Sequence, residues 1–147
     1  NFGIIMVSVS QTRSREMARA GERAYPYECV GALFGKRDLG GLQITEVMPI
    51  DNKSREDRRT RFRVTDRDYL LCERHARDSG LDLLGFYHSH PDHPAEPSAT
   101  DLRYAHPHFL YIIISIREAE YHEPMCCFLL NDDGDALRYE PMRVFED

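Results

Sequence analysis

The stretch GFYHSHPDHPAEPSATD, residues 85–101, places three of the chain's seven histidines at positions 88, 90 and 93. His88 and His90 are separated by one residue. On a β-strand, positions i and i+2 point to the same side, so both imidazoles can face a single cation. Imidazole nitrogens suit zinc at about 2.0–2.1 Å, and Asp101 is the candidate third ligand. Two histidines and one carboxylate with an open fourth position form a catalytic rather than a structural zinc set, in which bound water reaches a pKa of about 7. His93 is then read as facing solvent or substrate, because a catalytic site keeps a position open. H-x-H by itself is a weak signal, since histidine is often no more than a polar surface residue.

Ser98 and Asp101 form an S-x-x-D pattern, a helix capping box, which gives Ser98 a structural role whatever else it does. A helix starting there would fix Asp101 near the strand end that carries the histidines. Pro91, Pro94 and Pro97 restrict the intervening loop. Hydrolysis at such a site also wants a carboxylate that is not a ligand, to take a proton from water and pass it to the leaving amine. Glu28, in ECVGALFG, is the candidate: an acid at the start of an apolar strand is out of pattern. An exposed strand-end acid is the plain structural alternative.

The elements that must position these residues alternate in type along the chain. FGIIMVSV (2–9) reads as a strand, and SQTRSREMARAGERAY (10–25) as a helix capped by Ser10. CVGALFGK (29–36) and LQITEVMPI (42–50) read as a hairpin around RDLGG. A short strand is expected at RFRV (61–64). A helix follows over residues 65–80, with Thr65 or Asp66 as cap, Tyr69, Leu70 and Cys72 facing inward, and Gly80 as its stop. LDLLGFYH (81–88) is an apolar strand delivering His88 at its end, and SATDLRYAH (98–106) a short helix. FLYIIISI (109–116) reads as a strand buried on both faces. MCCFLLND (125–132) and ALRYEPMRVF (136–145) are expected to form a hairpin at NDDGD. This alternation predicts an α/β sandwich, a mixed sheet covered by helices, in one domain spanning residues 1–147.

Charge and cysteine usage narrow the class. The net charge of −6 and pI near 5.6 argue against nucleic-acid binding. The one basic cluster, residues 53–63, has Asp51, Glu56 and Asp57 around it and reads as a solvated loop. The four cysteines show no C-x-x-C spacing and read as free thiols of a reducing cytoplasm. The apolar opening is too short to span a bilayer, so no membrane role is expected.

Taken together, ECVGALFG and HSHPDHPAEPSATD resemble the JAMM (MPN-plus) metalloprotease family. Its pattern is a Glu on an early strand, H-x-H-P and then S-x-x-D at fixed spacing, matched here by Glu28, His88, Ser89, His90, Pro91, Ser98 and Asp101. The resemblance implies one zinc ion on His88, His90 and Asp101, with Glu28 as general acid/base acting on the zinc-bound water. It implies that Ser98 hydrogen-bonds the tetrahedral intermediate. It also implies a cytidine-deaminase-like fold, and hydrolysis after the C-terminal Gly-Gly tail of a ubiquitin-like protein. The chain's size is similar to that of compact prokaryotic members, some of which release sulfur-carrier proteins from adducts. The cysteine such members carry before the glycine is Val30 here, with Cys29 one place earlier. The tail is expected to add to an exposed strand edge, and residues 51–62 to contact the carrier's body. The alternative from another class is a noncatalytic MPN-type binding scaffold. A zinc deaminase would need H-x-E and P-C-x-x-C, which this sequence lacks.

Overall fold

The computed structural model describes residues 6–147. In chain order the elements are β1 (Met6–Ser10), α1 (Gln11–Ala24), β2 (Val30–Asp38), β3 (Gly41–Ile50), α2 (Asp66–Ser79), β4 (Asp82–Pro91), α3 (Ala99–Arg103), β5 (Leu110–Arg117), β6 (Glu120–Leu130), β7 (Leu137–Glu140) and β8 (Met142–Phe145). The strand expected over residues 2–9 lies in part outside the described residues. Among the described residues, the eight strands form one mixed sheet in the order β7-β6-β5-β4-β2-β3-β1-β8. β4 pairs parallel with β5 and antiparallel with β2, and β1 runs parallel to both of its neighbours.

Helices cover both faces, as the alternation of elements predicts. On one face Met17 and Ala18 of α1 pack into a cluster with Val9, Leu33, Tyr87, Ile112 and Ile114. On the other, Cys72 and Ala76 of α2 join Ala32, Phe34, Phe86 and Tyr111. β5 is buried at both faces, so its run of β-branched residues is continuous rather than alternating. Ser10 caps α1, accepting from the Arg13 N–H. Thr65 and Asp68 close a full capping box on α2, and Gly80 ends it in the left-handed region at φ 67°. The expected inner face of α2 needs one correction. Asp68, Cys72 and Ala76 form its buried stripe, while Leu70 is 66% exposed and Leu71 49%.

Two further differences concern strands. RFRV forms no strand: residues 61–65 are irregular and run along the edge of a groove. The expected strand over residues 136–145 splits at Pro141. β7 pairs with β6 at one edge of the sheet, while β8 crosses to β1 at the other. With only Pro141 between them, the two edges must approach each other, so the sheet curls around α1. Proline cannot donate to a ladder, which suits it to such a switch.

The central strand β4 bends before it reaches the histidines. Its pairing with β2 shifts register between Leu33–Gly85 and Phe34–Leu83, a bulge that re-aims the strand. Gly85, at φ 156°, passes so close to the Leu110 backbone that an added Cβ would sit 1.9 Å from its carbonyl oxygen.

Candidate metal centre and its groove

β4 continues past His88 to Pro91, so both histidines stand on one strand face. Period two sends Phe86, His88 and His90 toward the α2 side, while Tyr87 and Ser89 face α1. Tyr87 is buried at 1% exposure, and its ring covers Gly31, so it packs beneath the site rather than lining it. The Nε2 atoms of His88 and His90 lie 3.1 Å apart. Asp101 completes the triangle, with Oδ1 3.1 Å from His88 Nε2 and Oδ2 3.1 Å from His90 Nε2. Among the described residues, these three are the group whose ligand atoms cluster closely enough to hold a metal ion.

The residues fit zinc on three counts. A tetrahedron with bonds of about 2.0–2.1 Å has edges of about 3.3 Å, close to the observed separations. The His90 Nδ1–H donates to the Pro94 carbonyl at 3.0 Å, which leaves the Nε2 lone pair aimed at the shared point. Three electron-rich atoms converging at hydrogen-bond distance also demand a proton or a cation among them. On the other side of the His88 ring, Nδ1 is the one buried side-chain nitrogen or oxygen among the described residues without a hydrogen bond.

Protonation follows the same logic. Burial pushes the His88 imidazole down, toward the neutral form that ligates. For His90 burial also acts downward, but the Asp101 carboxylate outweighs it and the net shift is upward. Burial would raise the Asp101 carboxyl, yet hydrogen bonds from His88 and His90 and the Ser98 N–H hold it well below the usual range.

The loop between His90 and Ser98 is tied down rather than merely stiff. The Asp92 N–H donates to the Ile116 carbonyl, the Tyr25 hydroxyl to Asp92 Oδ2, and the Ser115 hydroxyl to the His93 carbonyl. His93 is exposed and is not part of the ligand cluster. At α3, the Ser98 Oγ accepts from the Asp101 N–H, and Asp101 Oδ2 accepts from the Ser98 N–H. The capping box therefore orients the carboxylate directly and leaves the hydroxyl proton of Ser98 available to donate.

Glu28 is buried at 6% exposure, not an exposed strand-end acid. Because β2 and β4 pair with Val30 opposite His88, the chain two residues earlier comes level with His90. Ser89 secures that register: its Oγ accepts from the Cys29 N–H at 2.8 Å, and its own N–H donates to the Cys29 carbonyl. Burial raises the Glu28 carboxyl to about 8, against the lowering effect of His90.

Sequence reasoning gave no role to three supporting residues. Ser89, matched between the histidines, is turned by period two to the sheet face opposite theirs, which was readable, while its bond to Cys29 was not. Asn52 donates both amide hydrogens, to the carbonyls of Glu28 and Arg61, and so ties the acid's backbone to the loop 51–65. Phe62 stacks on His88, centroids 4.5 Å apart and planes at 28°. It is the single apolar side chain between Asp51 and Arg63, a signal that burial was required. The loop forms one wall of a groove of about 800 Å³ that opens onto His88 and Asp101, with Tyr104 on the opposite wall. At the level of His88 the sheet edges are β6 and β3, because β7 pairs only with Cys127–Leu130 and β1 only with Gly41–Ile44; each edge is two strands from β4, about 10 Å at the usual spacing. The irregular backbone of residues 62–64, which forms no hydrogen bond with the described residues, borders the groove directly.

Comparison with known proteins agrees with this architecture. Residues 11–129 match the family described as prokaryotic homologs of the JAB domain, and the chain belongs to that family. It is 33% identical over 91 residues to the desampylase of Haloferax volcanii, covering 61% of this chain and 63% of that protein. The chain thus spans less than two thirds of that relative. It is 30% identical over 131 residues to the CysO-cysteine peptidase of Mycobacterium tuberculosis, covering 88% of this chain and 85% of the peptidase. A solution structure of a protein from Desulfitobacterium hafniense superimposes with a TM-score of 0.84 at 31% identity, covering 97% of this chain and 94% of the other. Among the described residues, no helix is long and apolar enough to cross a membrane.

Proposed function

We propose that residues 1–147 form one catalytic domain, a zinc metallopeptidase or isopeptidase that hydrolyses the amide bond after the Gly-Gly tail of a ubiquitin-like or sulfur-carrier protein. The observation that carries this reading is the convergence of His88 Nε2, His90 Nε2 and the Asp101 carboxylate beside a buried, otherwise unexplained Glu28. The names of the two relatives, desampylase and CysO-cysteine peptidase, supply the substrate class.

His88, His90 and Asp101 would hold the zinc, which supplies Lewis acidity and lowers the pKa of a coordinated water to about 7. Glu28 takes the proton of the attacking water and returns it to the leaving amine, a role suited to a carboxyl raised by burial into the neutral range. The Ser98 hydroxyl donates to the oxygen on which negative charge develops, while its lone pair keeps α3 capped. The tail lies along the groove against the unpaired backbone of residues 62–64, with Phe62 shielding His88 from water. Glycine residues allow the closest approach of that backbone. Four free cysteines suit a reducing compartment, and we place the protein in the cytoplasm.

The test has two parts. Protein purified without added metal should carry about one zinc per chain, lost in the His88→Ala, His90→Ala double variant. Zinc-loaded wild type should then cut a sulfur-carrier protein fused through Gly-Gly to a short peptide, and Glu28→Gln should not. A well-folded chain that takes up no zinc, or that loads fully and cuts nothing, would return the fold to the scaffold class.

A further inference from the structure

The groove carries a charge pattern that the hydrolytic chemistry does not require. Residues 51–65 hold six cations against three anions, while the rest of the chain holds 13 against 22. Arg55, Arg61, Arg63 and Arg103 all line the groove, facing Glu56, Asp66 and the ligand Asp101. Arg61 is paired with Glu56 at 3.3 Å. Among the described residues, Arg55, Arg63 and Arg103 have no carboxylate within 4.0 Å, and all three are exposed. Arg103 lies over the Tyr104 ring at 5.7 Å, which holds its guanidinium at the groove wall. Most arginines among the described residues lack a carboxylate partner, so it is the clustering of three exposed guanidinium groups around one opening of a net acidic protein that suits an acidic ligand.

We propose that the groove is a docking surface for a carrier protein whose surface next to its tail is acidic, with Arg55, Arg63 and Arg103 as the contacts. This deepens the reading of the site as a deconjugase and rests on it for the identity of the tail. A protein ligand suits the surface better than a nucleic acid. Outside residues 51–65 the chain carries 13 cations against 22 anions, so a long polyanion running beyond the groove would meet net negative charge. Of the aromatic rings at the groove, Phe62 is engaged on His88 and Tyr69 against Phe86 and Phe109, which leaves the exposed Tyr104, with Arg103 over its ring, as one isolated ring rather than a row on which successive bases could stack.

The experiment uses internally quenched peptides with one Gly-Gly–Cys junction, preceded by four residues that are acidic, neutral or basic. Cleavage by zinc-loaded protein is read as kcat/KM, and binding of the same peptides to Glu28→Gln is read by fluorescence anisotropy. At low ionic strength the acidic peptide should exceed the basic one by about tenfold or more in both readouts, and the gap should close to about twofold in 0.5 M salt. Arg55→Glu combined with Arg63→Glu should reverse the order. Arg15→Glu combined with Arg19→Glu, on α1 away from the groove, should preserve it. Equal response to acidic and basic peptides, including no binding of either at millimolar concentration, overturns the inference. Tighter binding of a single-stranded oligonucleotide than of the acidic peptide overturns it in favour of a nucleic-acid partner. Acidic peptides that bind selectively but are never cut would sink the hydrolytic reading and leave the docking surface standing.

Discussion

Glu28 illustrates what the proposed chemistry would cost in stability. Its carboxyl ordinarily titrates near 4.5 and is raised to about 8 in the fold, first of all by burial. A folded value above the unfolded one means that the favourable contribution is complete below about 4.5 and is lost as the pH rises toward 8. In metal-free protein, Glu28→Gln should therefore raise stability by about 4 kcal/mol near pH 7.5 and leave it unchanged near pH 4. Paired urea titrations at the two pH values check this, and an equal effect at both would deny the burial cost. The same substitution should lower turnover by about 10²–10⁴-fold with zinc retained. The ligands carry a second pH dependence of opposite sense. His90 holds its proton to higher pH than a free imidazole because Asp101 faces it, so proton and metal compete for one place. Zinc affinity, measured by competition with a chelating dye, should weaken steadily from about pH 8 to about pH 6.

At the scale of elements, the irregular segment 51–65 matters as much as the strands. Asn52 holds it to the Glu28 backbone, Lys53 reaches Asp68 at the start of α2, and Phe62 lies on His88. Asn52→Ala frees two partly buried carbonyls, at a cost of about 1–3 kcal/mol. Because the wall and the acid move together, kcat should fall more than KM rises, with zinc content intact; steady-state kinetics and metal analysis separate these. This segment was the least legible in the sequence. RFRV has strand composition, but it sits beside the metal centre with no neighbouring strand to pair with, and composition cannot report a missing partner. Leu70 was misread for a related reason. Tyr69, Leu70 and Cys72 look like one apolar face, whereas the buried stripe of α2 runs through Asp68, Cys72 and Ala76. Its rotation is fixed by the Thr65–Asp68 capping box and by what the sheet presents beneath it.

At the scale of the whole molecule, the sheet curls around α1 until β7 and β8 lie one residue apart in the chain. The candidate metal centre sits on the opposite face, where the carboxyl end of β4, the entry to β2 and the start of α3 meet. These parts come from distant stretches of sequence, so a metal ion there binds only the folded chain. Zinc at about 100 times its Kd should add about 2.7 kcal/mol, which for a domain of this size is roughly 6–10 °C in Tm. Scanning calorimetry with and without a chelator measures it, and His88→Ala combined with His90→Ala should abolish the difference.

The sequence by itself determined the local and periodic features. H-x-H on a strand, S-x-x-D at a helix start, the caps of both long helices and the continuous apolar run of β5 all follow from rules that act within a few residues. Tertiary structure alone decided where Glu28 stands relative to His90, that Phe62 covers His88, that the last strands divide between the two sheet edges, and that unpaired arginines ring one groove. Each of these is a contact between residues far apart in the chain. Such contacts are set by strand register, sheet curvature and the packing of loops, and no local pattern of residue types encodes them.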